Sequence, residues 1–89
     1  MTQKEILDDL KALIVERLKF DPRRAAEMTL ETTLPKGVEG SLGLDSLDFI
    51  ELSVAMEEHF GIVIDEAESL ADDFLSLDTL SRFVLSKVK

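Results

Sequence analysis

The chain has 89 residues, no cysteine and a formal net charge of −9. This length corresponds to one domain with a modest core, and 45% hydrophobic with 33% charged residues is typical of a globular rather than a disordered chain. The absence of cysteine excludes a disulfide scaffold, a cysteine metal site and a cysteine nucleophile. No apolar run reaches the roughly 18 residues of a membrane span. We therefore expect a cytoplasmic protein without membrane insertion.

The negative charge is unevenly distributed along the chain. Residues 1–36 hold seven acidic and seven basic residues, whereas residues 37–81 hold twelve acidic residues and no lysine or arginine. A surface of one sign repels nucleic acid and anionic lipid and attracts basic protein surfaces. We therefore expect basic protein partners and no nucleic acid; a merely solvated acidic face is the alternative.

The first helix is predicted over residues 3–19. Thr2 and Glu5 have the spacing of a capping box. Apolar residues then recur at helical spacing, at Ile6, Leu7, Leu10, Leu13, Ile14 and Leu18. The following Asp21-Pro22 is typical of a helix start and indicates a single turn that runs through Glu27.

Residues 28–44 are predicted to form one long loop. They contain one proline and three glycines and show no sustained hydrophobic period. A loop of this length is unusual in a small domain unless it is functional or anchored by its own side chains. Leu30, Leu34 and Leu42 are the expected anchors.

A serine stands at the start of the second helix, which is predicted over residues 46–60. A flexible glycine-containing approach leads to Asp45, a good N-cap residue, and Asp48 adds a negative charge where the helix dipole is positive. This geometry presents Ser46 to solvent. A phosphate attached there would lie near the unpaired amides of a helix N-terminus, which favour an anion.

One stripe of this helix alternates apolar and acidic residues at i, i+4, i+7 and i+11: Leu47, Glu51, Val54 and Glu58. An exposed stripe of this kind suits the docking of a partner protein, and Asp45 and Asp48 extend it at the start of the helix. The alternative is that Leu47 and Val54 belong to the core.

Gly61 is predicted to end the second helix in a left-handed turn. His59 is interpreted as structural, because the chain has no second histidine and no cysteine with which it could form a metal site. We expect no metal site and no catalytic residue. The apolar segment 62–64 is too isolated for a sheet, so it is predicted to close the core as a loop.

A short third helix is predicted over residues 65–71 and a fourth over residues 77–88, capped by Ser76. Phe74 and Leu75 between them are expected to point inward. The predicted fold is all-α: a four-helix bundle of three main helices and one short helix, with a long first loop.

Two motifs together resemble the acyl carrier protein family: Gly43-Leu44-Asp45-Ser46-Leu47-Asp48 and, at the end of the same helix, Glu57-Glu58-His59-Phe60-Gly61-Ile62. The resemblance implies that residues 1–89 form a single acyl carrier domain that is not an enzyme. It also implies that Ser46 carries a covalent 4'-phosphopantetheine arm whose thiol holds acyl intermediates as thioesters.

The same resemblance implies the partners and the pathway class. The partners are a phosphopantetheinyl transferase and acyl-transfer, ketosynthase or acyl-activating enzymes with basic docking patches, and the carrier is expected to be a monomer. The cargo would serve fatty acid, lipid or polyketide-type biosynthesis. Ser53 stands where the family more usually has an apolar residue, which points to a specialised carrier.

Other functions remain open from the sequence. The chain could be an aminoacyl, peptidyl or D-alanyl carrier, or an unmodified acidic protein-interaction module. A further hypothesis is that the acyl chain is sheltered between the second and third helices by residues that any helical core would also contain: Val54, Met56, Ile64, Leu70 and Phe74.

Overall fold

A computed structural model describes residues 2–65 and 74–88. Within these ranges the chain forms four helices: α1 (Gln3–Arg17), α2 (Pro22–Glu27), α3 (Ser46–Phe60) and α4 (Leu77–Val88). α1 packs against each of the other three. Among the described residues, every helix is too short or too polar to span a bilayer. The predicted all-α fold is confirmed, and α1 is its central element.

α1 begins with the predicted capping box. The amide of Glu5 donates to the Thr2 hydroxyl at 3.2 Å, and the amide of Thr2 donates to the Glu5 carboxylate at 2.9 Å. The backbone hydrogen bond from Thr2 is the main cause of a lowered pKa of Glu5, because it favours the ionised carboxylate. The helix ends at Arg17, before the predicted Lys19, because Lys19 has a left-handed backbone with φ of 61°.

The core draws on all four described helices and the long loop, with Ala25 as the contribution of α2. Its fully buried apolar side chains are Ile6, Leu10, Ile14, Leu34, Leu44, Leu52, Ala55, Met56, Leu77, Leu80 and Val84. An aromatic row extends it: the ring of Phe74 lies 5.9 Å from that of Phe49 and 5.8 Å from that of Phe83. Because Phe49 is in the first turn of α3 and Phe83 is in α4, this row connects the start of α3 to α4.

Backbone hydrogen bonds attach the long loop to the segment that leads into α4. The amide of Leu34 donates to the carbonyl of Leu75 at 2.9 Å, and the amide of Leu77 donates to the carbonyl of Thr32 at 3.0 Å. A third bond runs from the amide of Asp78 to the carbonyl of Leu30 at 2.8 Å. The loop is therefore pinned along one side before it reaches α3.

The loop also pairs with itself just before α3. The amide of Leu44 donates to the carbonyl of Leu34, and the amide of Lys36 donates to the carbonyl of Leu44, each at 2.9 Å. Leu34 and Leu44 are both fully buried. The approach to Ser46 is therefore fixed by hydrogen bonds and burial, and the expectation of a flexible approach is wrong.

The leucine pattern identified the loop anchors only in part. Leu34 is fully buried, Leu42 packs against the core from a half-buried position, and Leu30 is half-buried outside the hydrophobic cluster. Met28 and Leu44 are the other buried anchors. The backbone bonds of the loop, rather than its leucine spacing, decide which side chains turn inward.

α3 spans the predicted residues and ends as predicted at Gly61, whose φ of 68° is left-handed. In the segment that follows, Ile62 and Ile64 are buried whereas Val63 is 77% exposed. The core is therefore closed by two of the three apolar residues of this segment. An extended backbone alternates the directions of its side chains, which accounts for the outward Val63.

The predicted short helix over residues 65–71 lies outside the described residues except for Asp65, which is not helical. Phe74 is buried as expected, but Leu75 is exposed, so its predicted inward position is wrong. The backbone carbonyl of Leu75 binds the loop while its side chain faces solvent. Ser76 caps α4 as predicted, its hydroxyl accepting from the amide of Thr79 at 3.2 Å.

Replacement of Leu34 tests how strongly the loop is anchored. Leu34→Ala should lower the free energy of unfolding by about 2–5 kcal/mol, because it leaves a cavity where the loop meets the core. Val38→Ala in the same loop is the control, since Val38 is exposed, and it should change stability by less than about 0.5 kcal/mol. Chemical denaturation measures both; equal losses would contradict the anchoring role of Leu34.

Candidate functional site

Ser46 is the first residue of α3, and its side chain is exposed. The helix is capped by its neighbours instead. The amide of Asp48 donates to the Asp45 carboxylate at 2.9 Å, and the amide of Asp45 donates to the Asp48 carboxylate at 3.2 Å. Because this reciprocal pair caps the helix, the Ser46 hydroxyl forms no hydrogen bond to any described residue and can be reached from outside.

The surroundings of Ser46 also suit a phosphate ester. The amides of Ser46 and Leu47 lie in the first turn of α3 and have no acceptor among residues 2–65 and 74–88. Such amides, with the positive end of the helix dipole, favour an anion. The carboxylates of Asp45 and Asp48 are engaged with backbone amides. The residues present therefore fit a group attached through a phosphate to the serine oxygen.

Among the described residues, the carboxylates nearest to Ser46 in the chain, Asp45 and Asp48, are hydrogen-bonded to backbone amides, and the histidine is distant. His59 lies at the other end of α3, about 20 Å from Ser46 along the helix axis. Its Nε2 is 3.3 Å from the Asp9 carboxylate, and its ring contacts Phe60 edge-on. Among the described residues, no group of three or more His, Cys, Asp or Glu side chains could hold a metal ion.

An apolar stripe runs along the exposed side of α3 from the turn that carries Ser46. Leu47 is 73%, Ile50 48% and Val54 39% exposed. The alternative that Leu47 and Val54 belong to the core is therefore wrong. Ile50 was not predicted as part of this surface, although its spacing of i+3 from Leu47 and i−4 from Val54 could have identified it. We call Leu47, Ile50 and Val54 the apolar stripe.

The acidic residues of the predicted docking stripe are held by a residue of α1. The Nε of Arg17 lies 3.5 Å from the Glu51 carboxylate, and its Nη1 lies 3.3 Å from the Glu58 carboxylate. The hydrogen bond to Glu58 raises the pKa of Arg17 above its usual value, and the negative charge of Glu51 adds to this effect. The two carboxylates are exposed, but they share one cation that the sequence pattern of α3 could not reveal.

The remaining carboxylates of α3 also have partners within the chain. Glu57 accepts from the amide of Ile64 at 2.9 Å and so restrains the segment that follows the helix. Asp48 accepts from the amide of Asp45 in the cap. All four acidic side chains of α3 are therefore used internally.

The proposed acyl shelter is only partly compatible with these positions. Met56, Ile64 and Phe74 are buried, as a shelter requires. Val54 faces solvent and does not belong to it, and Leu70 lies outside the described residues. Shelter by the three buried residues stays a prediction.

Comparison with known proteins identifies a family whose matched region includes this site. Residues 8–84 match the family PP-binding, described as a phosphopantetheine attachment site. The chain is 33% identical over 88 residues to an acyl carrier protein of Thermosynechococcus vestitus, which covers 99% of this chain and 98% of that protein.

Two further relatives are also named acyl carrier proteins. The one from Wolinella succinogenes is 44% identical over 68 residues, covering 74% of this chain and 80% of the relative. The one from Helicobacter acinonychis is 42% identical over 64 residues, covering 72% and 73%. The matched region of the family includes Ser46, α3 and the loop that precedes them.

The reciprocal cap can be tested at Asp45. Asp45→Ala should lower the free energy of unfolding by about 1 kcal/mol, because the amide of Asp48 loses its acceptor. Asp45→Asn keeps an acceptor oxygen and should lose much less. Thermal or chemical denaturation compares the two, and equal losses for alanine and asparagine would show that the cap is not what Asp45 contributes.

Proposed function

The chain belongs to the acyl carrier protein family, and we propose that Ser46 is the residue to which its 4'-phosphopantetheine cofactor is attached. Members of this family are carriers rather than enzymes. The observation that carries the proposal is the exposed, unengaged hydroxyl of Ser46 at the first position of α3. When bound, the cofactor supplies a thiol that holds an acyl group as a thioester.

Ser46 acts as the nucleophile during its own modification. Its oxygen attacks the pyrophosphate of coenzyme A, so that a bond forms between the serine oxygen and the phosphorus on the pantetheine side. The bond to the bridging pyrophosphate oxygen breaks, and the adenosine bisphosphate leaves. The proton of the hydroxyl passes to a base of the transferase, which also supplies the metal. The cap by Asp45 and Asp48 keeps the hydroxyl available throughout.

The docking surface lies on α3 and its cap. We propose that a phosphopantetheinyl transferase and acyl-transfer, ketosynthase or acyl-activating enzymes with basic patches bind there. The contributing residues are Asp45, Leu47, Asp48, Glu51, Val54 and Glu58. All of them except the half-buried Asp48 are exposed, and they lie on the helix that begins at Ser46, so a partner that binds along α3 also reaches the modified residue.

The wider role follows from the family and the composition. We propose a single carrier domain over residues 1–89 that works as a monomer in the cytoplasm; the absence of cysteine is compatible with that reducing compartment. Its cargo would be acyl intermediates of fatty acid, lipid or polyketide-type biosynthesis. The names of the relatives favour acyl groups over aminoacyl groups.

Intact-protein mass spectrometry tests the attachment. The chain is incubated with coenzyme A, magnesium and a broad-specificity phosphopantetheinyl transferase. The wild type should gain the mass of one phosphopantetheine group, and Ser46→Ala should gain none. Ser86→Ala removes another exposed serine, on α4, and should be modified like the wild type. Modification of Ser46→Ala would refute the assignment.

A second experiment tests the docking surface. Leu47→Ala should raise the KM of the same transferase about fivefold, because a highly exposed apolar side chain next to the reacting serine is suited to a contact pocket. Its free energy of unfolding should stay within about 0.5 kcal/mol of the wild type, since Leu47 buries little surface in the fold. An unchanged KM would remove Leu47 from the docking surface.

A further inference from the structure

The surface of α3 is less acidic than its sequence indicates. Its carboxylates are all engaged within the chain, and two of them, Glu51 and Glu58, share the guanidinium of Arg17. The three side chains of the apolar stripe beside them are exposed. A partner that approaches α3 therefore meets apolar side chains first and partly neutralised carboxylates second.

Arg17 competes with the basic groups of a partner for the carboxylates of Glu51 and Glu58. Glu51 and Glu58 lie seven residues apart on α3, which corresponds to about 10.5 Å along the axis. The guanidinium of Arg17 reaches both, because its nitrogens are arranged as a planar fork. A lysine or arginine of a partner gains full contact with either carboxylate only by displacing Arg17 or by tolerating its like charge nearby.

The fold itself does not depend on these ion pairs. α1 packs on α3, and both helices contribute fully buried side chains to one hydrophobic cluster. Exposed ion pairs contribute about 0–1 kcal/mol to stability, which is small beside that burial. Arg17 therefore changes the charge that α3 presents more than it changes the stability of the helix pair.

We propose that Arg17 tunes partner binding by holding Glu51 and Glu58, so that a basic patch of a partner contacts these carboxylates fully only when it displaces the guanidinium. The inference rests on the proposed function, because docking on α3 is the process that Arg17 controls. Without Arg17, Glu51 and Glu58 are released, and the same helix binds basic patches more tightly.

The experiment measures the kcat and KM of a broad-specificity phosphopantetheinyl transferase toward the unmodified carrier. Arg17→Gln should lower KM about two- to fivefold at low salt, as expected for a new exposed ion pair with the basic patch of the transferase, and leave kcat unchanged. The gain should disappear near 1 M salt, where the Debye length is about 3 Å. A role in stability alone would not produce this salt-dependent change in KM.

Two further variants separate the released carboxylates from net charge. Arg82→Gln removes the same charge from α4, where Arg82 pairs with Asp78 at 3.1 Å, and should leave KM nearly unchanged. Adding Glu51→Gln and Glu58→Gln to Arg17→Gln should abolish the gain. An equal gain in Arg82→Gln, or a gain that survives the loss of both glutamates, would overturn the proposal.

The remaining outcomes also decide the proposal. If Arg17→Gln does not fold, Arg17→Lys replaces it, because lysine is a point charge that does not bridge both carboxylates. A KM below that of the wild type then supports the proposal, and a KM equal to that of the wild type overturns it. If the wild type is modified and Arg17→Gln has an unchanged KM, only this inference fails. If the wild type gains no phosphopantetheine, the proposed function fails first and this inference fails with it.

Discussion

The reciprocal hydrogen bonds between Asp45 and Asp48 are the interaction on which the site depends. The aspartate carboxylates accept hydrogen bonds from backbone amides at the start of α3, so the serine between them is not needed as a cap. An N-terminal serine often caps its own helix, and its hydroxyl would then be occupied. Here the oxygen of Ser46 has no hydrogen-bond partner in the described part of the chain, and it lies at the helix end that favours negative charge. In this Asp-Ser-Leu-Asp sequence the two aspartates cap the helix, and the serine hydroxyl is left for modification.

The cap in turn depends on the loop that delivers it. Leu44 immediately precedes Asp45, and its buried side chain and its two backbone hydrogen bonds to Leu34 and Lys36 fix the chain there. The same loop is bonded to the segment that leads into α4. The position of Ser46 is therefore set by contacts between distant parts of the chain, and α1 packs against both α3 and α4.

The sequence predicted those features that local interactions determine. The bounds of α3, its cap and the left-handed Gly61 depend on residues a few positions apart, so their types and spacing were sufficient. The fixed approach to Ser46, the exposure of Leu75 and the burial of Met28 depend on backbone hydrogen bonds across the loop and α4, which no local pattern encodes. Arg17 was missed for the same reason: it lies in α1, and only the packing of α1 on α3 brings it to Glu51 and Glu58.

Function as a carrier depends on a phosphodiester bond at the oxygen of Ser46. Fragmentation mass spectrometry of the modified chain locates it directly, because cleavage after glutamate releases peptide 40–51, which contains Ser41 and Ser46 as its only serines. The account predicts fragments that carry phosphopantetheine on Ser46 alone. Phosphopantetheine on Ser41, or on a residue of any other peptide, would contradict it.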